Sequence, residues 1–187
     1  VNTFRGFLVD CYVRIDAMLN GKPFRLQPME GSSVFINQPE HFEIPEDVII
    51  IGMENAENFM QIRSQRWLFD AQFPGKQLLF VCRYPQENLE NLRSWLLRIP
   101  NRYVHFGDFD LAGVHIYLSE FYAHLGNRSS FLVPSDIEER LAEGNAALYN
   151  QQYARFRNMA VTDVRLQPLV NMIHHYRRGY EQEGYIR

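Results

Sequence analysis

A chain of 187 residues with 46% hydrophobic residues, 22% charged residues and a net charge of −3 fits an ordinary globular protein, with room for one domain and a substantial core. The acidic balance argues against a free-standing non-specific DNA binder, which would be basic, but leaves open an enzyme with a local basic surface. No apolar run approaches the roughly 18–20 residues of a membrane span, so a membrane partner is not expected.

The chain begins at Val1 rather than Met and shows no charged-then-apolar leader, and so reads as a trimmed piece of a longer protein. Cys11 and Cys82 lie far apart in apolar runs. They read as two buried thiols rather than a disulfide or zinc site, which suits a reducing cytoplasm. Of the 19 basic residues 17 are Arg, a bias that suits bidentate phosphate contacts but also fits mere composition.

In chain order, residues 1–46 read as a β-rich lead-in. "GFLVDCYVRIDAML" is a long, mostly apolar strand, "NGKPF" carries an Asn-Gly hairpin turn, and "GSSVFI" and "HFEI" are further short strands. Residues 47–133 alternate in type. "DVIIIGM" (47–53) is a β-branched run of the kind buried on both faces, "NAENFMQIRSQ" (55–65) a helix, and "WLFDAQFPGK" a loop. "QLLFVCRY" (77–84) is the second strand. "QENLENLRSWLLRI" (86–99) is a helix with Leu89, Leu92, Leu96 and Ile99 on one face. "RYVHF" (102–106) is the third strand, "LAGVHIYLSEFYAHL" (111–125) the third helix and "SSFLVP" (129–134) the fourth strand. This β-α-β-α-β-α-β order predicts a parallel four-stranded sheet flanked by helices. Residues 134–187 form a helical C-terminal extension, opened by a capping box of Ser135 and Glu138.

In open parallel sheets ligands bind beyond the carboxyl ends of the strands. Glu54 follows the first strand; Asp108 and Asp110 follow the third, in "HFGDFDLAG". Positions i and i+2 of an extended chain point the same way, so the two aspartates converge while Phe109 turns into packing. Gly107 and Gly113 relax the backbone around them. Three acids at one rim repel one another unless a cation lies between them, and Mg²⁺, with Mn²⁺ as a substitute, suits hard oxygen ligands. A second reading stays open: Asp110 as the N-cap of the helix starting at Leu111, and Glu54 as an acid in the first turn of a helix.

"VIIIGMENAENF" followed about fifty residues later by "HFGDFDLAGVHIY" resembles a Toprim domain, and is most similar to those of the topoisomerase VI A subunit and of the nuclease subunit of the Wadjet defence system. The stretch from Glu54 to Phe59 and the terminal "YEQEGYI" are similar to motifs of that group. The resemblance covers residues 47–133 well and the tail loosely. It implies a Toprim-like (Rossmann-like) α/β fold and Mg²⁺-dependent cleavage of DNA. Glu54 would be a metal ligand and general acid or base, and Asp108 and Asp110 metal ligands. It also implies a dimer, or partner subunits in a larger DNA-processing or defence complex. The topoisomerase-type enzymes use a tyrosine on a preceding winged-helix domain, for which residues 1–46 are too few and too β-rich. The expected reaction is therefore hydrolysis by water, or one completed by an upstream domain. The alternatives are a Toprim module that binds DNA or a partner without cutting, and a phosphatase of the haloacid-dehalogenase type. The latter normally carries its Asp-x-Asp after the first strand and before a Gly-Thr absent here.

Arg83, at the end of the second strand, is the candidate phosphate contact, with a structural ion pair as its other reading. His105 reads as a packed or hydrogen-bonded core residue that could support the site. Glu181 and Glu183 read as a solvated helix end rather than part of the acid rim, and His174, His175, Arg177 and Arg178 as an exposed helix face. His115 and Tyr122 read as packing. The aromatics of "WLFDAQF" read as anchoring a loop rather than stacking on bases.

Overall fold

In a computed structural model, residues 4–83 and 89–187 are described. The strands are β1 (Phe7–Asp10), β2 (Ile15–Leu19), β3 (Lys22–Leu26), β4 (Val34–Ile36), β5 (Phe42–Glu43), β6 (Ile49–Met53), β7 (Leu78–Cys82), β8 (Tyr103–Phe106) and β9 (Ser129–Phe131). The main sheet has six strands in the order β4-β1-β7-β6-β8-β9. Its β7-β6-β8-β9 portion is parallel, while β1 and β4 extend it antiparallel. The sheet is thus larger than the four strands expected. Two strands from the β-rich lead-in complete it.

The predicted single strand over residues 6–19 is two strands in two sheets. Asp10 ends β1: its Oδ1 accepts the Cys11 N–H at 2.7 Å and its Oδ2 pairs with Arg63 at 3.0 Å. The chain then turns out of the main sheet, and β2 joins the small sheet β3-β2-β5. The Asn-Gly turn forms as expected. Asn20 (φ 52°) and Gly21 (φ 71°) are both left-handed, and Leu19 faces Lys22, the geometry whose twist matches a hairpin.

Helix α1 (Ala56–Met60) is followed by a 3₁₀ turn and by α2 (Arg66–Gln72), where a loop was expected. No Gly or Pro interrupts the chain before Pro74. Arg66 and Asp70 pair at i,i+4, and Phe69 buries its ring edge-on against Phe80 and Phe106. Helix α3 spans Leu89–Arg98, with Leu92, Trp95 and Leu96 buried; residues 86–88 of its predicted start lie outside the described chain. Helix α4 (Leu111–Ile116) runs through a π-helical stretch, Tyr117–Tyr122, into α5 (Ala123–Leu125), and the run ends at Gly126 with φ 56°.

Beyond the sheet come α6 (Ile137–Ala142), α7 (Ala146–Phe156) and α8 (Gln167–Tyr176). The predicted capping box does not form. The helix starts one residue later, with Asp136 at its N-cap position, and Ser135 is exposed. The Asp136 carboxylate is instead held by Arg140 at 2.7 Å and by the Tyr185 hydroxyl at 3.1 Å. Helix α7 does have a side-chain cap, the Asn145 Oδ1 accepting from the Ala147 N–H. No helix among the described residues is long and apolar enough to cross a membrane.

Every residue of β6, β7 and β8 is buried. Side chains of β8 alternate. Tyr103 and His105 face Phe121 of the π-helical stretch, while Phe106 meets Phe69 and Tyr185 on the other side. Gly52 on β6 makes this possible, because a Cβ there would collide with the Tyr103 ring and hydroxyl. Gly52→Ala should therefore lower stability by about 1–3 kcal/mol, the range for overpacking a dense core, read as a lower urea midpoint. An unchanged midpoint would mean that Tyr103 does not occupy this space.

Candidate acidic site at the sheet edge

From β6 the chain crosses to β7 on one side, then returns over β6 to β8 on the other. The order of the parallel strands reverses between β6 and β8, and a crevice opens at their carboxyl ends, where α/β sheets bind ligands. Glu54 is the first residue past β6, its N–H bonded to the Phe106 carbonyl at 3.0 Å. Asp108 and Asp110 follow β8. Phe109 between them is fully buried, as the alternation predicts. Its backbone is clamped by Tyr180, with N–H to carbonyl bonds of 2.9 and 3.1 Å in the two directions. Gly107 and Gly113 do not adopt positive φ. They supply room instead: a Cβ at 107 would strike the Glu54 carboxylate, and one at 113 the Asp108 carbonyl.

Each acid has partners. Glu54 Oε2 lies 3.1 Å from His105 Nε2, and His105 Nδ1 lies 3.0 Å from the Tyr103 hydroxyl. Asp108 Oδ1 accepts the Gln182 N–H at 2.9 Å. Asp110 Oδ1 accepts the Gly113 N–H at 2.7 Å and so caps α4, while Oδ2 accepts from Gln152 Nε2 at 2.7 Å. The capping role weighed from sequence is therefore real for Asp110.

The site is electrostatically crowded. Burial pushes the Asp108 carboxyl up to about 7; the Gln182 N–H offsets part of this, and the charges of Glu54, Asp110 and Glu183 add to it. Burial also raises Asp110, against the hydrogen bonds from Gly113 and Gln152. The three predicted acids thus share one rim, and a fourth joins them. Glu183, expected on a solvated helix end, is only partly exposed. One of its oxygens accepts a hydrogen bond from Asn55 Nδ2, and the other is buried with no hydrogen-bond partner. Among the described residues no three Asp, Glu, His or Cys side chains form a ready-made metal cage. Mg²⁺ does not require one, since it commonly takes one or two carboxylates and keeps its waters. The orphaned Glu183 oxygen and the proton-retaining Asp108 suit a cation, whereas the Asp110 oxygens are already engaged.

Arg83 spends its Nε and Nη2 on a bidentate ion pair with Glu120, at 2.6 and 2.7 Å, and is 6% exposed. That is the geometry of its structural reading, although it still senses the Glu54 charge. Trp67 lies on α2, stacked on Tyr185 with the Arg187 guanidinium 3.6 Å from its ring centroid. His174 bonds the Tyr149 hydroxyl, Arg178 the Gly144 carbonyl, and His115 packs on Phe156. Sequence reasoning passed over Gln152, Gln182 and Tyr103. "YEQEGY" was the one visible signal for the C-terminal contribution, and nothing in the sequence pointed to Gln152. A cavity of about 490 Å³ lies apart from the acids, between the π-helical stretch and the end of α7, lined mainly by Leu118, Ala123, Phe156 and Met159.

These features define an α/β protein with a mostly parallel sheet and a crowded acidic rim at the point where its strand order reverses. The chain belongs to the family described as Domain of unknown function (DUF7281), whose model matches residues 12–187. None of the curated proteins matches it.

Between the ordinary aspartate value of 3.8 and about 7, the folded chain keeps the Asp108 proton that the unfolded chain loses. Stability therefore falls as pH rises through that window. Asp108→Asn should melt above the wild type at pH 8 by several degrees, at about 2–4 °C per kcal/mol for a domain of this size. The gap should shrink toward pH 4–5. A gap independent of pH would show that Asp108 titrates normally.

Proposed function

We propose that this chain is a Toprim-type nuclease domain that cleaves DNA phosphodiester bonds with Mg²⁺, as part of a larger DNA-processing or defence protein. The observation that carries this reading is the placement of Glu54 after β6 and of Asp108 and Asp110 after β8, at the point where the strand order reverses. Glu54, Asp108 and Asp110 are the residues that would hold the metal, with Mn²⁺ as a substitute; Asp110 would do so through the lone pairs that its bonds to Gly113 and Gln152 leave free. The ion would supply charge neutralisation at the scissile phosphate.

The chain's own residues do the rest. The Gln182 N–H holds one Asp108 oxygen, Oδ1. Asp110 fixes the start of α4 and, through it, the loop geometry. Glu54 is the group placed to exchange a proton with the attacking water or the leaving oxygen. Arg83 contributes by fixing Glu120 and lending positive charge near Glu54 rather than by gripping phosphate. DNA, a second copy of the chain and partner subunits are the proposed partners.

One observation favours a second reading, a module that binds DNA or a partner without cutting. Both Asp110 oxygens are satisfied within the chain, and no compact three-ligand cluster exists among the described residues.

A supercoiled-plasmid nicking assay with Mg²⁺, Mn²⁺ or EDTA, paired with Mn²⁺ calorimetry, separates the two. Glu54→Gln, Asp108→Asn and Asp110→Asn are the informative variants, because Asn at position 110 keeps the helix cap and removes only the charge. Metal-dependent nicking that falls about 100-fold or more in Glu54→Gln, with folding intact, supports the nuclease. DNA binding without nicking supports the second reading. Absence of both metal binding and nicking in the wild type would overturn the metal site.

A further inference from the structure

Glu54 is a flexible side chain in a site crowded with like charge, where both entropy and repulsion would swing it toward water. Something must hold it. Residue 105 lies directly opposite Gly52 in the β6–β8 ladder, one pair before Met53 and Phe106. Strand alternation puts Tyr103 and His105 on the same face. There the His105 ring is wedged against Phe121, Tyr117 and Phe131, at centroid distances of 5.0, 5.8 and 5.6 Å, and is fully buried. The ring has little freedom to rotate. Its Nε2 reaches Glu54 Oε2 at 3.1 Å and its Nδ1 reaches the Tyr103 hydroxyl at 3.0 Å. The two glycines leave the required space. A Cβ at Gly52 would displace Tyr103, and one at Gly107 would strike both Glu54 Oε2 and His105 Nε2.

We infer that His105, braced by Tyr103, is the positioning residue of the acidic site: its Nε2–H fixes one Glu54 oxygen and leaves the other for the ligand. The inference rests on the nuclease reading only in taking Glu54 as an acting residue.

The direction of the hydrogen bonds follows from the chemistry of the groups. An ionised carboxylate can only accept, so Nε2 carries the proton. In the neutral ring Nδ1 is then the acceptor, and the buried Tyr103 hydroxyl donates to it. The arrangement resembles the outer partners that orient ligating side chains at metal centres, whose loss typically costs about 10–100-fold in metal affinity or activity. His105 sits on a central strand, and so it delivers to Glu54 the rigidity of the sheet rather than that of a loop.

The test has two arms. Long-range ¹⁵N correlation spectra of the intact wild-type chain should show His105 as the Nε2–H tautomer; an Nδ1–H tautomer overturns the inference. In the second arm Mn²⁺ affinity and nicking are compared for His105→Leu and His105→Gln, with thermal melting as the folding control. His105→Leu should lose about 10–100-fold in Mn²⁺ affinity or in kcat. His105→Gln, whose amide can donate to Glu54, should recover most of that loss. A folded His105→Leu that binds and cuts like the wild type overturns the inference. If the wild type neither binds Mn²⁺ nor cuts, the nuclease reading fails, and the tautomer alone decides the role of His105.

Discussion

The parallel pairing of β6 with β8 is the constraint on which the rest of the site depends. Its register places Gly52 beside His105 and Met53 beside Phe106. Both strands then run out together, so Glu54 and the loop from Gly107 to Asp110 leave the sheet at one edge. Shifting β8 by one residue would turn Tyr103 and His105 to the opposite face and separate them from Glu54. Register is secured by burial, because every side chain of both strands is inside. Hydrophobic packing, which has no interest in carboxylates, thereby decides where the carboxylates go.

Holding them there is costly, and the chain meets the cost unevenly. Asp110 is neutralised by donors, the Gly113 N–H and Gln152. Asp108 has the Gln182 backbone for one oxygen and retains a proton into the neutral range. Glu54 leans on His105, and Glu183 leaves one buried oxygen unsatisfied. A buried polar atom without a partner is rare and calls for an explanation. Among the described residues, the buried side-chain atoms without a partner also include Asn58 Oδ1, Trp67 Nε1, Asn101 Oδ1 and Gln182 Oε1; the Glu183 oxygen is the one carboxylate oxygen of the set, and it lies on the rim with the other acids.

Much of this was legible in the sequence. The four parallel strands, the Asn-Gly hairpin, the inward turn of Phe109 and the meeting of Glu54, Asp108 and Asp110 follow from periodicity, turn chemistry and chain order. The errors have physical causes. The apolar run over residues 6–19 carries one strand pattern, and its division falls at Asp10, whose ion-pair partner Arg63 lies 53 residues away. Residues 66–72 looked like loop because their apolar periodicity is short, yet burial of Leu68 and Phe69 makes them helix. The Ser135 cap lost to Asp136, whose partners Arg140 and Tyr185 are tertiary. Glu183 read as solvated because nothing local reveals that residues 179–185 fold back over the loop from Gly107 to Asp110.

That fold-back has a consequence for how the site comes into being. Asn55 and Glu183 are 128 positions apart, Asp108 and Gln182 74. Contacts of such separation are entropically expensive to close. Without the C-terminal segment Asp108 lacks the Gln182 N–H, and Phe109 lacks its backbone clamp. Local detachment of residues 179–185 from the finished protein would disorganise the acid rim and leave the sheet standing.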